Sequence, residues 1–169
     1  MIRIRSELPE DIEAIYSLNQ EAFEGTTEAN LVNNLRTSNA MTLSLVAIKN
    51  NKIVGYIAFS PVTIESDQTT VNAVGLAPMA VSPELQRSGI GSQLVEEGLN
   101  RIRTAGHDLV IVIGHPEYYP RFGFVPAKKY SIRWEHDVPE EAFMIKELRK
   151  GALKEVRGTV KFRPEFNEV

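Results

Sequence analysis

One strand–loop–helix–strand unit, residues 71–113, constrains the fold of this chain more than any other part of its sequence. Val71–Val81 is typical of a strand, and a loop with two glycines, Ser82–Gly91, follows it. Apolar side chains then recur at helical spacing up to Gly106, a helix stop signal. Leu109–Ile113 is a short β-branched run, typical of a strand buried on both faces. Because a helix connects the two strands, they are predicted to be parallel neighbours in an α/β fold.

Three strand-like runs joined by short turns lead into this unit. They are Leu43–Lys49, Ile53–Ile64 and Val71–Val81. The first turn is Asn50-Asn51, a pair that tolerates positive φ, and the second is the polar loop Glu65–Thr70. Connections this short predict an antiparallel meander.

Further elements are predicted toward both ends of the chain. A short strand, Ile2–Ser6, precedes a helix from Leu8 to Gly25 and a second helix from Thr26 or Thr27 through Leu35. After residue 113 we expect two short helices and two strands, at Pro116–Arg121, Pro139–Leu148 (capped by Gly151), Tyr130–Trp134 and Thr159–Arg163. The length of 169 residues suits one domain. The prediction is therefore a single α/β domain, residues 1–169, with a mixed, mostly antiparallel sheet flanked by helices.

Composition excludes several classes of protein. The chain has no cysteine, three histidines and a formal net charge of −3, so we expect no disulfide, no thiol nucleophile and no metal. That charge is too small for a nucleic-acid binder or a polybasic membrane anchor. The longest apolar run, Leu109–Ile113, is far shorter than the ~20 residues that span a bilayer. The N-terminus alternates apolar and basic residues, unlike a signal peptide, so a cytoplasmic protein is expected.

The loop before the helix has the features of an anion site. A helix N-terminus presents N–H groups without an acceptor and about half a positive charge, and glycines such as Gly89 and Gly91 let a ligand approach the backbone. The alternative is that these glycines only permit a tight turn from strand to helix. No Lys follows either glycine, as a P-loop requires, and Leu94 stands where a dinucleotide-binding loop has Gly or Ala.

Two motifs resemble those of a known enzyme family. The run Met79–Leu94 looks like the central motif of GNAT-superfamily N-acetyltransferases, which reads apolar-Ala-Val-x-Pro, then Gln/Arg-x-x-Gly-x-Gly/Ala, then a helix. Downstream, Tyr119–Phe124 fits the family's pattern of Tyr, three residues and Gly-Phe. The resemblance is clearest over residues 1–127, and residues 128–169 carry no motif. The run Tyr-Tyr-Pro-Arg-Phe-Gly-Phe from Tyr118 also resembles one branch of predicted bacterial acetyltransferases.

The resemblance implies acetyl-CoA as co-substrate and names the residues that bind it. The pantetheine arm would pair with the backbone of Val71–Val81, where this strand splays away from Leu109–Ile113, and the pyrophosphate would lie on N–H groups of the glycine loop. The implied binding residues are Met79, Ala80, Val81, Gln86, Arg87, Ser88, Gly89, Ile90, Gly91 and Ser92. Tyr119 is the implied general acid for the departing thiolate, and the alternative is that Tyr118 and Tyr119 only pack.

The general base is where this chain departs from many relatives. They often carry Glu in the strand, six residues before the Val of the central motif, and this chain has Gly75 there. The candidate base is His115, whose unperturbed pKa of about 6.5 suits the role, against the alternative of a surface His in a turn. A water chain and three carboxylates also stay open, namely Glu24, Glu28 and Glu117.

Two functions follow from these residues. The first is an N-acetyltransferase that moves an acetyl group directly to a primary amine in a ternary complex, since no cysteine can carry it. The alternative is a catalytically weak acyl-CoA-binding or regulatory module of the same fold. We expect the acceptor to be a small-molecule or peptide amine, with a small metabolite, an antibiotic, a peptide terminus and a protein lysine all open. Residues 23–30 are expected to form one wall of its pocket, and C-terminal edge strands offer a surface for a homodimer.

Overall fold

The computed structural model describes residues 1–168 as two compact units of α/β structure. The first unit comprises Met1–Ser60, Ala77–Arg101 and the C-terminal residues from Pro164, and the second comprises Pro61–Leu76 and Ile102–Arg163. The prediction of one domain over residues 1–169 stays a prediction, and residue 169 lies outside the described residues.

Nine strands and three α-helices, together with short 3₁₀ turns, make up the described chain. The strands are β1 (Arg3–Ser6), β2 (Leu43–Lys49), β3 (Lys52–Glu65), β4 (Thr70–Val81), β5 (Leu109–Ile113), β6 (Val125–Pro126), β7 (Ile132–Trp134), β8 (Phe143–Glu147) and β9 (Gly158–Lys161). The helices are α1 (Ile12–Phe23), α2 (Thr27–Thr37) and α3 (Ile90–Thr104). The predicted strands and helices up to residue 113 are all present.

The first unit is built on the antiparallel meander. Its strand order is β1-β2-β3-β4, and β1 pairs with β2 and β2 with β3 in antiparallel register. Asn50 and Asn51 form the predicted hairpin turn with φ of 51° and 63°. Both residues adopt the left-handed region that Asn tolerates better than most residues, so the turn was predictable from its side chains.

Helices cover both faces of β3 in the first unit. Tyr56 and Ala58 share a buried cluster with Ile15 of α1 and Val32 of α2. Successive side chains of a strand point to opposite faces, and the intervening position, Ile57, belongs to the other face. Helix α3 therefore packs on one face and helices α1 and α2 on the other.

Two glycines bring α3 close to β3. A Cβ on Gly55 would stand 2.9 Å from Ile90 Cγ2 and 3.0 Å from Leu94 Cδ1, and a Cβ on Gly98 would stand 2.6 Å from Phe59 Cε1. A glycine inside a helix costs about 1 kcal/mol relative to alanine, and at position 98 it makes room for the Phe59 ring. This close packing fixes the N-terminal end of α3, which carries the glycine loop.

The second unit contains the predicted parallel pair. Its main strand order is β3-β4-β5-β8-β6, and β4 pairs with β5 in parallel at Val74↔Val110 and Gly75↔Ile111. Strand β9 pairs with β3 in antiparallel and with β7 in parallel register. The parallel pairing of β7 with β9 was not predicted, because nothing in either short run indicates a partner.

The predicted helix at Pro139–Leu148 was wrong. Only Glu140–Ala142 forms a 3₁₀ turn, and the rest is strand β8, which pairs with β5 on one edge and β6 on the other. Three consecutive apolar residues, Phe143–Ile145, are all buried. Such a run suits a strand covered on both faces better than a helix with one apolar stripe. The predicted helix at Pro116–Arg121 is likewise a 3₁₀ turn, at Tyr119–Phe122.

Within residues 1–168, no helix is both long and apolar enough to span a bilayer. The same residues contain no group of three acidic or histidine side chains arranged to hold a metal ion.

Candidate active site

The glycine loop of the first unit, predicted to bind an anion, has an open backbone. Gly89 has φ of +95°, and a Cβ on it would meet no atom within 4 Å, so the loop is open at this residue. The first intrahelical bond of α3 runs from Gln93 N–H to the Gly89 carbonyl at 3.1 Å. The N–H groups of Ile90 and Gly91 lie in the first helical turn, which offers them no acceptor within the helix. Acidic residues are absent from that first turn, so no carboxylate there opposes an anion.

Side chains of the loop hold its shape from within. Gln86 Nε2 donates to the Val81 carbonyl at 3.2 Å, and the Ser88 hydroxyl donates to the Leu85 carbonyl. Arg87 has φ of +63° and an exposed side chain. The loop is therefore tied to the end of β4 by Gln86, while the Arg87 guanidinium is left in solvent.

The three predicted residues at the end of β4 differ in burial. Ala80 is buried in the cluster with Ile15 and Tyr56, whereas Met79 and Val81 are half-buried. The Val81 carbonyl accepts the Gln86 side chain, and the next N–H, of Ser82, donates to the Val54 carbonyl at 2.8 Å. Their predicted pairing with pantetheine stays a prediction.

Tyr119 lies in the second unit with its ring enclosed and its hydroxyl free. The residue is 7% exposed, and its ring makes edge contacts with Tyr118 at 5.1 Å and with Phe124 at 5.7 Å between ring centroids. The Tyr119 hydroxyl has no hydrogen-bond partner among residues 1–168. The hydroxyl oxygen nevertheless keeps some contact with solvent. Burial raises the pKa of Tyr119 above its usual value near 10, so the hydroxyl keeps its proton at neutral pH.

The other deeply buried tyrosine, Tyr56 of the first unit, has a hydrogen-bonded hydroxyl. Its hydroxyl donates to Glu7 Oε1 at 3.1 Å, and Glu7 also accepts from Arg36 Nε at 2.8 Å. A buried tyrosine hydroxyl usually has such a partner. Among residues 1–168 the Tyr119 hydroxyl lacks such a partner.

His115 follows the end of β5 and has an exposed imidazole. Its side chain is 83% exposed, and its Nδ1 lies 4.0 Å from Glu117 Oε1. The backbone carbonyl of His115 stabilises the turn that follows β5, because it accepts hydrogen bonds from the N–H groups of Tyr118 at 3.1 Å and Tyr119 at 3.3 Å. The surroundings of the imidazole lend no support to its candidacy as a base, which stays a prediction.

Gly75 has no room for the carboxylate that many relatives carry at this position. A Cβ there would stand 2.8 Å from Phe162 Cε2 and 2.9 Å from Val62 Cγ1. The Phe162 ring therefore occupies the space that a Glu side chain at position 75 would need. The base must come from another residue or from water.

The sequence from residue 3 to residue 127 matches the family model described as an acetyltransferase (GNAT) domain. This match covers most of the chain and includes both the glycine loop and Tyr119. The chain belongs to the GNAT family of acetyltransferases.

GNAT relatives match the chain over almost its whole length. The N-acetyltransferase YhbS of Escherichia coli K12 is 38% identical over 165 residues, covering 97% of this chain and 98% of YhbS. The crystal structure of E. coli YhbS in complex with CoA has a TM-score of 0.92 at 37% identity, covering 98% of this chain and 92% of that one. A GNAT acetyltransferase from Brucella melitensis, in complex with acetyl-CoA, has a TM-score of 0.81 at 31% identity, and the match covers 99% of each chain.

Two features of this GNAT site were missed by the sequence reasoning. Gly114 lies directly beneath the Tyr119 ring, and Phe162 fills the space beside Gly75. Gly114 had a local signal, a glycine between a buried strand and the tyrosine motif, which indicates a close approach of a side chain to the backbone. Phe162 had no such local signal, because it is far in sequence from Gly75, beside which its ring lies.

Proposed function

We propose that the protein transfers the acetyl group of acetyl-CoA directly to a primary amine. The observation that carries this proposal is the exposed glycine loop at the N-terminus of α3, with Gly89 at φ of +95° and no acid in the first helical turn. Membership of the GNAT family and the CoA or acetyl-CoA named in two relatives' crystal structures support the same co-substrate.

In this proposal the backbone of the loop binds the diphosphate of CoA. N–H groups from Arg87 to Gly91 donate to its oxygens, with Gln86 and Ser92 beside them and the exposed Arg87 adding a positive charge. Backbone groups of Met79, Ala80 and Val81 pair with the pantetheine arm. These assignments rest on the match of the chain to the family's motifs and on the open geometry of the loop.

The transfer needs three proton movements. An alkyl ammonium has a pKa near 10.4, so a base removes a proton before the nitrogen attacks the acetyl carbonyl carbon. After the attack the nitrogen loses a second proton to the base or to solvent, the carbon–sulfur bond breaks, and Tyr119 donates its proton to the departing thiolate and regains one from solvent. The support for Tyr119 is its place in the family's motif and its hydroxyl, which has no hydrogen-bond partner among residues 1–168. His115 is the proposed base, with Glu24, Glu28, Glu117 and water as alternatives.

The acceptor in this proposal is a small-molecule or peptide amine. One wall of the acceptor pocket is formed by residues 23–30, which run from the end of α1 into the first turn of α2. Phe23 in this segment is 40% exposed. We further propose that the protein is cytoplasmic, that it acts without nucleic acid, membrane or metal, and that C-terminal edge strands pair in a homodimer.

A thiol-release assay with a panel of amines tests the proposal. Wild type, Tyr119→Phe and the matched control Tyr118→Phe are compared with acetyl-CoA at saturation. We expect turnover with at least one amine, a loss of about 10²-fold in kcat for Tyr119→Phe, as for a lost general acid, and near-normal kcat for Tyr118→Phe. Equal rates for all three proteins would remove Tyr119 from the mechanism.

The alternative, an acyl-CoA-binding module, is favoured by one observation. Phe162 occupies the space beside Gly75 where many relatives have a carboxylate. Calorimetric titration with CoA distinguishes the two functions. Tight binding of CoA without thiol release on any amine, and without an effect of Tyr119→Phe, would establish the module instead of the enzyme.

A further inference from the structure

The ring of Tyr119 rests on the backbone of Gly114. A Cβ on Gly114 would stand 3.0 Å from Tyr119 Cδ2 and 3.5 Å from Cζ, with Cε2 closer still. Carbon atoms of a real side chain almost never come so near a Cβ, so any side chain at position 114 must displace the ring. No positive φ marks Gly114, and its need for glycine comes from this contact alone.

Gly114 itself has little freedom to move away. It directly follows β5, and its N–H donates to the Ala142 carbonyl at 2.9 Å, just before β8 begins. Strands β5 and β8 are paired over five residues, from Leu109↔Glu147 to Ile113↔Phe143. The backbone beneath the ring is therefore held at the end of the paired strands by a hydrogen bond of its own.

The ring is confined from other directions as well. The turn that follows β5 returns the chain over Gly114, because the His115 carbonyl accepts the N–H groups of both Tyr118 and Tyr119. Tyr118 and Phe124 then make edge contacts with the Tyr119 ring. Because a Cβ on Gly114 would overlap the ring, the position of the ring, and with it the Tyr119 hydroxyl, depends on the absence of a side chain at position 114.

We propose that Gly114 is a positioning residue for the reaction: its missing side chain sets where the Tyr119 hydroxyl stands relative to the leaving sulfur. This inference rests on the proposed role of Tyr119 as general acid. A methyl group at position 114 moves the hydroxyl without removing it, and a displacement of about 1 Å in a reacting group lowers the rate by about 10²-fold.

A double-mutant cycle on kcat tests this role. Gly114→Ala, Tyr119→Phe and the double variant are compared with wild type in the thiol-release assay, with Gly106→Ala as the control, because a Cβ on Gly106 meets no atom within 4 Å and the residue lies after the end of α3, outside the residues proposed to bind CoA or the amine. We expect Gly114→Ala to lower kcat by about 10²-fold, to change KM for acetyl-CoA by less than about threefold, and to have no further effect in the Tyr119→Phe background. Independent, multiplicative losses in the double variant would overturn the proposal.

A second cycle, on stability, keeps the contact testable if Gly114→Ala folds poorly. The free energy of unfolding is measured for Gly114→Ala with Tyr119 present and in the Tyr119→Ala background, where no ring opposes the new methyl. The contact is supported if Gly114→Ala lowers the free energy of unfolding much more with Tyr119 present than in the Tyr119→Ala background. Equal losses of unfolding free energy in the two backgrounds overturn it. Retention of full kcat by Tyr119→Phe alone would instead reject the acid role, whatever the stability cycle gives.

Discussion

The ring of Phe162 lies where a side chain on Gly75 would have to be, with Phe162 Cε2 2.8 Å from the Cβ position. Val62 Cγ1 closes the same space at 2.9 Å. Contacts this short admit no carboxylate on this part of β4, so the exchange of Glu for Gly relative to many relatives is coupled to an aromatic residue elsewhere in the same unit. The base of the reaction must therefore be sought outside this position.

We predict that Gly75→Ala destabilises the protein by about 1–3 kcal/mol through overpacking. The loss shrinks when Phe162→Leu is added, because a smaller side chain leaves room for the methyl. Urea unfolding of the single and double variants measures both values, and Gly25→Ala, a glycine with open space around its Cβ, serves as the control. Additive losses in the double variant would show that the two residues do not share this space.

A second prediction separates ligand binding from backbone strain. Gly89 and Gly106 have nearly the same φ, +95° and +97°, and neither has an atom within 4 Å of a Cβ position. Alanine at either position costs about 1–2 kcal/mol in the left-handed region. Only Gly89 belongs to the proposed diphosphate site, so calorimetric titration with CoA is expected to show weaker binding for Gly89→Ala and unchanged binding for Gly106→Ala. Equal Kd values for the two variants would place the diphosphate elsewhere.

Stability is expected to fall in acid through Asp11. Its carboxylate accepts Arg5 Nη1 at 2.7 Å and the Leu8 N–H at 2.7 Å, and the Arg5 hydrogen bond is the main cause that lowers the pKa of Asp11. Because the pKa of Asp11 is lower in the folded protein than in the unfolded chain, the unfolded chain binds a proton at this carboxylate first as the pH falls. The contribution of Asp11 is therefore complete above the unfolded pKa of about 3.9 and is lost as the pH falls toward the folded value.

Asp11→Asn measures that contribution. Above about pH 5 we expect the variant to be less stable than wild type by about 2 kcal/mol, the value of hydrogen bonds to a charged group, and the difference should narrow below pH 4. Asp67→Asn, an exposed residue in the turn between β3 and β4, removes the same charge as a control. A gap between wild type and Asp11→Asn that stays constant from pH 7 to pH 3 would contradict the assignment.

Local signals in the sequence predicted much of the fold. Strands β2 and β5 begin and end at the predicted residues, and Asn50-Asn51 forms the predicted turn. In each case the decisive physics is local: the alternation or continuity of apolar side chains and the tolerance of Asn for positive φ. The glycine loop and Tyr119 were found by motif, since each combines a short spacing with a fixed place after a strand.

Contacts between distant residues account for what the sequence did not predict. Strand β8 resembles a helix locally and becomes a strand because β5 and β6 offer it two edges. The ring of Phe162, which directly follows β9, reaches Gly75 only once β3, β4 and β9 are assembled in the second unit. Such partners are chosen by tertiary packing, which a single sequence does not display.

The last prediction concerns the buried hydrogen-bond network of the first unit. Tyr56 is fully buried, and its hydroxyl donates to Glu7 Oε1 at 3.1 Å, whereas the Tyr16 hydroxyl donates to Asn30 Oδ1 at 3.0 Å on the exposed surface. Removing the first hydroxyl leaves the half-buried Glu7 carboxylate short of one donor. We expect Tyr56→Phe to lower the free energy of unfolding by about 1–3 kcal/mol and Tyr16→Phe to change it by less than about 0.5 kcal/mol. Chemical denaturation at pH 7 measures both free energies of unfolding, and similar small losses would mean that the Glu7 carboxylate needs only its hydrogen bonds from Arg36 Nε and Nη2.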